Sequence, residues 1–181
     1  QGSIQQRFDI LDAAGSELLA RREELGTLLS REEGKTRPEG IAEVMRAGQI
    51  FKFFAAECVR QTGDKLASVR PGLDVEITRH AVGVVGLITP WNFPMAIPAW
   101  KIAPALAYGN TVVFKAADLA PGCAWALTDI LKRAGIPAGV FNLVMGRGSV
   151  VGEAFVGSTD VNAISFTGSV PTGRAIAAKA V

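Results

Sequence analysis

The chain has 181 residues, 49% of them hydrophobic and 20% charged, enough to bury one sizeable core and too apolar for a disordered segment. Its 19 basic and 17 acidic residues give a formal net charge of +2 with no long run of one sign. No electrostatic footprint for nucleic acid stands out, and a small-molecule partner is expected. Two cysteines, Cys58 and Cys123, make neither a metal-type spacing nor a disulfide framework, which favours a reducing, cytoplasmic setting and no metal site.

From the start of the chain, Ile4, Phe8, Leu11 and Leu18 recur at helical spacing, and Leu25, Leu28 and Leu29 continue the theme up to Gly34, so two amphipathic helices are expected. A third begins around Pro38, a proline of the first-turn type, and runs to near Gly63. One face carries Ile41, Val44, Met45, Phe51, Phe54, Ala55 and Cys58; the other carries Glu43, Arg46, Lys52, Glu57 and Arg60. Arg70-Pro71-Gly72 then breaks the period, and 74–80 alternates polar and apolar residues like a half-exposed strand.

Four apolar strand candidates follow, at 82–88, 111–115, 140–144 and 163–166, each trailed by a helical pattern, at 95–107, 122–134, 150–156 and from about 170. This is the recurrence of βαβ units in a parallel sheet, and right-handed crossovers bring the four strand ends to one edge. Asn92, Lys115, Gly146 and Thr167-Gly168-Ser169 therefore converge. The weakly polar stretch 82–107 would make a poor membrane span, because it holds Asn92, Lys101 and four prolines. The chain opens on Gln1 and stops at Val181 inside an uncapped helical pattern, as a piece of a longer polypeptide would.

Several residues could carry chemistry, each with an ordinary alternative. Gly168-Ser169-Val170-Pro171-Thr172-Gly173 follows a strand and opens a helix, where backbone N–H groups can receive a phosphate, or where serine simply caps the helix. Lys115, with Asp118 three residues on, ends the strand that in dinucleotide-binding folds meets the adenosine ribose; the alternative is a solvated lysine. Asn92 can offer an amide N–H to a developing oxyanion, or serve as a turn or cap before the helix that Pro94 starts. Trp91, Phe93 and Trp100 could line a pocket or pack into the core. Cys123, near a helix N-terminus after Pro121-Gly122, sits where a thiol pKa can fall, whereas Cys58 lies on an apolar face; neither has a nearby base. His80 is the only histidine and has no partner motif.

Taken together, Pro90-Trp91-Asn92-Phe93-Pro94, Gly109-Asn110-Thr111-Val112-Val113-Phe114-Lys115, Phe141-Asn142-Leu143-Val144 and Ile164-Ser165-Phe166-Thr167-Gly168-Ser169 closely resemble the NAD(P)-dependent aldehyde dehydrogenase superfamily in order and spacing. The stretches 51–60 and 145–148 are similar to the 2-ketoglutaric semialdehyde dehydrogenases within it; succinic semialdehyde dehydrogenases are the next resemblance. The implied fold is α/β: a Rossmann-like parallel sheet with flanking helices, preceded by N-terminal helices and an oligomerisation-type strand, an incomplete aldehyde dehydrogenase. The implied organisation is helices packing on the cofactor domain at 1–66, a bridging strand segment at 67–81, and a truncated NAD(P)-binding domain at 82–181 without the catalytic domain.

The resemblance also implies roles. Asn92 would hold the aldehyde oxygen and the oxyanion of the thiohemiacetal. Thr89, Pro90 and Trp91 would border the nicotinamide ribose and pyrophosphate. Lys115 and Asp118 would address the adenosine ribose, Gly148 and Gly152 would lie near the adenine, and Phe166, Thr167, Gly168, Ser169 and Gly173 around the pyrophosphate. Phe93, Ile97 and Trp100 would face the substrate, an aldehyde, and the parent enzyme would be a homodimer or homotetramer. Two positions depart from the family pattern: Ala116 stands where proline is usual and Asp118 where glutamate is usual, so NAD and NADP both stay open as cofactor. The family's catalytic cysteine and general-base glutamate would lie beyond Val181. The alternatives are a nucleotide-binding or assembly module that uses 74–80 to pair with another subunit, and a related reductase of acyl phosphates or thioesters, against which the Trp91-Asn92 pair argues.

Overall fold

A computed structural model describes residues 2–180. Three helices come first: α1 (Ile4–Ala20), α2 (Arg22–Glu33) and α3 (Arg37–Cys58). Ser3 caps α1 by accepting from the Gln6 N–H, and Thr36 and Glu39 form a reciprocal capping box at α3, with Pro38 in its first turn. α2 ends on Gly34 in the left-handed conformation, at φ 93°, as its position after the last leucine predicts.

α3 ends at Cys58, short of the expected stop near Gly63. Gly63 has a different job: a side chain there would meet the Ile77 carbonyl oxygen at 2.3 Å, so its bareness lets two strands approach. These are β1 (Asp64–Ala67) and β2 (Asp74–Ile77), an antiparallel pair joined through the Arg70–Leu73 turn. β1 carries no strand signal in the sequence, and the half-exposed strand expected at 74–80 spans 74–77. Every residue of both strands is exposed, so the polar–apolar alternation of β2 does not mark a buried face.

The main sheet follows: β3 (Val84–Ile88), α4 (Ala96–Ala107), β4 (Thr111–Lys115), α5 (Pro121–Arg133), β5 (Phe141–Val144), α6 (Gly148–Gly157), β6 (Ala163–Phe166) and α7 (Val170–Lys179). All four strands are parallel, in the order β5-β4-β3-β6. The chain adds strands on one side of β3 and then returns to the other, so a crevice opens at the carboxyl ends where the winding reverses. Ligands of open α/β sheets bind at such a point. The register pairs Ile88 with both Lys115 and Phe166, and Lys115 with Val144, so the four last residues stand in one row.

The core lies on one face of this sheet. α4 packs against α1 and α3, and α5 against α1 and α2, around Leu11, Leu18, Phe51, Ile102, Leu127 and Ile130. Leu87 of β3 joins that cluster; Gly86, on the opposite face of the strand, lies under Phe155 of α6. Glu43 contradicts the expectation that it belongs to the solvated face of α3. It is 5% exposed, and it shares the stripe of Gly40, Ala47 and Ile50. Among the described residues no helix is long and apolar enough to cross a membrane, and no group of three or more His, Cys, Asp and Glu could hold a metal ion.

Candidate functional site

The crevice is built from two loops. After β3 the chain runs through Thr89, Pro90, Trp91, Asn92, Phe93 and Pro94 into α4; after β6 it runs through Thr167 and Gly168 into α7. The sheet fixes both at their roots, since the Thr89 N–H donates to the Lys115 carbonyl at 3.3 Å and the Thr167 N–H to the Ile88 carbonyl at 3.0 Å. Thr89 is buried, whereas Trp91 is 48% and Phe93 46% exposed, so neither aromatic is core.

Asn92 is exposed, and its side chain makes no hydrogen bond among the described residues. The helix-cap alternative fails here, because the residue at the cap position of α4 is Met95, whose side chain makes no cap bond. That role is taken from a distance by Glu43. Its Oε1 accepts from the Met95 and Ala96 N–H groups at 2.9 and 3.1 Å, and its Oε2 accepts from Lys35 Nζ at 2.6 Å. Lys35 also donates to the Asn92 carbonyl at 3.0 Å and stands 4.1 Å over the Phe93 ring centre. The sequence offered one signal for this pair: a lone acid set within an apolar helical stripe.

Beside Asn92 lies an open cavity of about 570 Å³ lined by Lys35, Ala42, Arg46, Phe93 and Ala96 with three glutamates, Glu33, Glu39 and Glu43. Phe93 therefore shares a cavity with Asn92. Ile97 and Trp100 sit further along α4 and do not line it; Ile97 is half-buried, and Trp100, 52% exposed, meets Phe54 of α3 edge-on at 6.4 Å. Lys101, on the same helix, reaches across to Ser165 of β6 at 2.8 Å, and the desolvation of its ammonium lowers its pKa.

On the other side of the row, Lys115 is only 6% exposed, so the solvated-lysine alternative fails as well. Its ammonium meets the exposed Asp118 carboxylate at 3.1 Å. Between α6 and α7, next to Ile88, is a cavity of about 340 Å³ that brings together Gly148, Ser149, Gly152 and Thr172. Apart from the chain neighbours and the helix's own backbone, no atom of the described residues lies within 4 Å of where a Cβ at Gly148 or Gly152 would stand, so side chains there would grow into free space. Phe166 ends β6. Its ring lies 2.5 Å from where a Cβ on Gly168 would be and 3.2 Å from one on Gly173, which only glycine allows at position 168. Ser169 does what a serine before a helix ordinarily does, capping α7 by accepting from the Thr172 N–H at 3.4 Å.

The cysteines are not activated. Cys123 is buried at the start of α5, but Glu32 occupies that helix end, accepting from the Gly122 and Cys123 N–H groups at 2.7 Å each. Burial first, then the Glu32 carboxylate, push the thiol pKa up, opposite to the direction a bare helix N-terminus would give. Cys58 is buried too, with its thiol raised by desolvation. Among the described residues His80 bonds only to Thr78, at 2.9 Å, on the exposed segment after β2.

Known proteins share this arrangement. An alpha-ketoglutarate semialdehyde dehydrogenase of Haloferax volcanii is 46% identical over 171 residues, which are 94% of this chain and 36% of that relative. A betaine aldehyde dehydrogenase of Staphylococcus aureus, solved in complex with NAD+, superposes with a TM-score of 0.96 at 34% identity, over 99% of this chain and 36% of that one. A glyceraldehyde-3-phosphate dehydrogenase of Methanocaldococcus jannaschii, solved with NADP, gives a TM-score of 0.91 at 35% identity, over 99% and 40%. The chain thus spans little more than a third of the length of these relatives. The aldehyde dehydrogenase family pattern matches residues 1–181, and with that match the chain belongs to the aldehyde dehydrogenase family.

Proposed function

We propose that this chain is the cofactor-binding portion of an NAD(P)-dependent aldehyde dehydrogenase that oxidises an aldehyde, a semialdehyde in particular, to a carboxylic acid. The observation that supports this reading is the row of four strand ends, from which Lys115 and the loops carrying Asn92 and Thr167–Gly168–Ser169 leave the sheet on one edge, with one cavity beside Asn92 and another between α6 and α7 next to Ile88. A dinucleotide fits the residues present. Gly148 and Gly152 leave room where side chains would fill the cavity between α6 and α7, and the buried Lys115 with Asp118 offers a cation and an acceptor at the end of β4, in register with Ile88. Thr89, Pro90 and Trp91 would border the nicotinamide half, and Phe166, Gly168, Ser169 and Gly173 the pyrophosphate. When bound, the nicotinamide accepts the hydride.

The chain's own contribution to the chemistry is the Asn92 amide. It would donate to the aldehyde oxygen and hold it as negative charge develops under attack by a thiolate. That thiolate is neither Cys58 nor Cys123, both buried with raised pKa values, so the 181 residues alone should oxidise no aldehyde. Phe93, Ile97 and Trp100 would present the apolar wall to the substrate, and the name of the Haloferax relative supports a semialdehyde. The exposed β1–β2 pair, with Leu66, Val75 and Ile77 bare to solvent, would join the subunits of a homodimer or homotetramer in the cytoplasm. The helices would pack on the cofactor unit at 82–181, and the assembly segment, expected at 67–81, would start earlier, at Asp64 with β1, since α3 ends at Cys58.

The test is aldehyde-dependent NAD(P)H formation by the complete enzyme carrying this chain, with and without Asn92→Ala. Loss of one oxyanion donor lowers kcat by about 10²- to 10³-fold. An unchanged kcat would refute the role of Asn92.

A further inference from the structure

We infer that Lys35 is a positioning residue for Asn92, with Glu43 as its anchor, and that the pair fixes the donor amide from outside the sheet. This rests on the reading of Asn92 as the oxyanion donor. A donor is useful only when held within a fraction of an ångström of its target, and the loop that carries Asn92 has little of its own to hold it. On the strand side the last backbone tie is Thr89 to Lys115; on the helix side Met95 offers no cap and the first backbone tie is the Ile97 N–H donating to the Phe93 carbonyl at 3.2 Å, which leaves Pro90, Trp91 and Asn92 without one among the described residues. Between them Lys35 grips the loop at two successive residues, the Asn92 carbonyl at 3.0 Å and the Phe93 ring at 4.1 Å.

Lys35 can do this because its own position is fixed. Gly34 ends α2 in the left-handed conformation and turns the chain toward the loop; Glu43 then takes the ammonium at 2.6 Å, with Glu33 at 3.5 Å behind it. The Lys35 and Glu43 side chains are 13% and 2% exposed, so water does little to loosen the pair. Glu43 spends its second oxygen on the Met95 and Ala96 N–H groups. One buried carboxylate therefore ties the start of α4 to the same cation that holds Asn92. A lysine that merely stabilised the fold would need contact with neither Asn92 nor Phe93.

The test compares Lys35→Met, Asn92→Ala and the double variant in the complete enzyme, reading kcat and KM for the aldehyde and the thermal midpoint. Lys35→Met should lower kcat by about 10- to 100-fold, the scale of a small misplacement, with KM for the aldehyde changed less than about twofold. Added to Asn92→Ala, it should cost nothing further in kcat, because the group it positions is gone. An equal loss in both backgrounds, or no loss in either, would overturn the proposal. Should Lys35→Met fail to fold, Lys35→Arg keeps the cation but changes its reach, and the same non-additivity with Asn92→Ala decides. The single variant Asn92→Ala, measured with Lys35 intact, tests the oxyanion reading separately; full activity there would remove that reading and this proposal with it.

Discussion

The two helices that open from the crevice are started in opposite ways. α7 is capped by its immediate neighbour, Ser169, whose hydroxyl bonds to Thr172 in the first turn. α4 is capped by Glu43, 52 residues away in sequence from Met95, and the same carboxylate holds Lys35. A local cap costs little to keep and holds only its own turn. A distant one makes the start of α4, and with it Asn92, depend on how α3 is packed. The loop expected to do chemistry is the one tied to the core.

Replacing each cap should expose this difference. Glu43→Ala should have the largest effect, because it takes the nearest carboxylate from the half-buried Lys35 ammonium and leaves two buried helix N–H groups without an acceptor; a loss of about 3 kcal/mol is expected in urea unfolding. A loss under about 1 kcal/mol would mean that α4 starts without help. Glu32→Ala at α5 is the intermediate case, a distant cap without a buried cation, and should cost about 1 to 2 kcal/mol. Unlike Glu43→Ala, it should leave the Asn92 loop unchanged in hydrogen exchange. Ser169→Ala should cost about 1 kcal/mol or less, with faster exchange confined to the first turn of α7. If Ser169→Ala matched Glu43→Ala, the contrast between local and distant caps would collapse.

A surface tie between helices gives the smallest effect, and a pH-dependent one. Glu17 of α1 bonds to Arg133 at the end of α5 and to Arg21, and these partners, Arg133 foremost, lower its pKa below the ordinary 4.5. Its contribution is therefore present above pH 4.5 and is lost as pH falls through the lowered value. Being partly exposed, the pair is screened. Glu17→Gln should flatten only the acid limb of a stability–pH curve, and an effect near neutral pH would contradict the assignment.

The same contrast explains what could be seen in the sequence. The parallel strands and their helices declare themselves through uncharged β-branched runs alternating with helical periods, and the row of strand ends follows from topology. Ser169 as a cap, Thr36–Glu39 as a capping box and Gly34 as a stop are local signals. β1 was missed because Asp64-Lys65-Leu66-Ala67 contains no β-branched residue and buries neither face. α6 starts at Gly148 rather than at 150, since Arg147 gives no capping signal. The sequence around Cys123 shows a helix end but not Glu32, 91 residues away, that fills it. Lys35 and Glu43 could not be paired with Asn92, because pairing of residues about 50 apart is a tertiary fact with no local pattern.

The most direct test of the central claim, that the strand ends form a dinucleotide cradle, is a titration of the complete enzyme with NAD+ and NADP+ before and after Gly152→Val. Gly152 is buried against the cavity between α6 and α7, and apart from its chain neighbours and its own helix backbone no atom of the described residues comes within 4 Å of where its Cβ would stand, so valine grows into the cavity. Tight binding of at least one dinucleotide by the unaltered protein, and a loss of about tenfold or more with an unchanged thermal midpoint, are expected. Undiminished affinity in the variant would contradict the cradle.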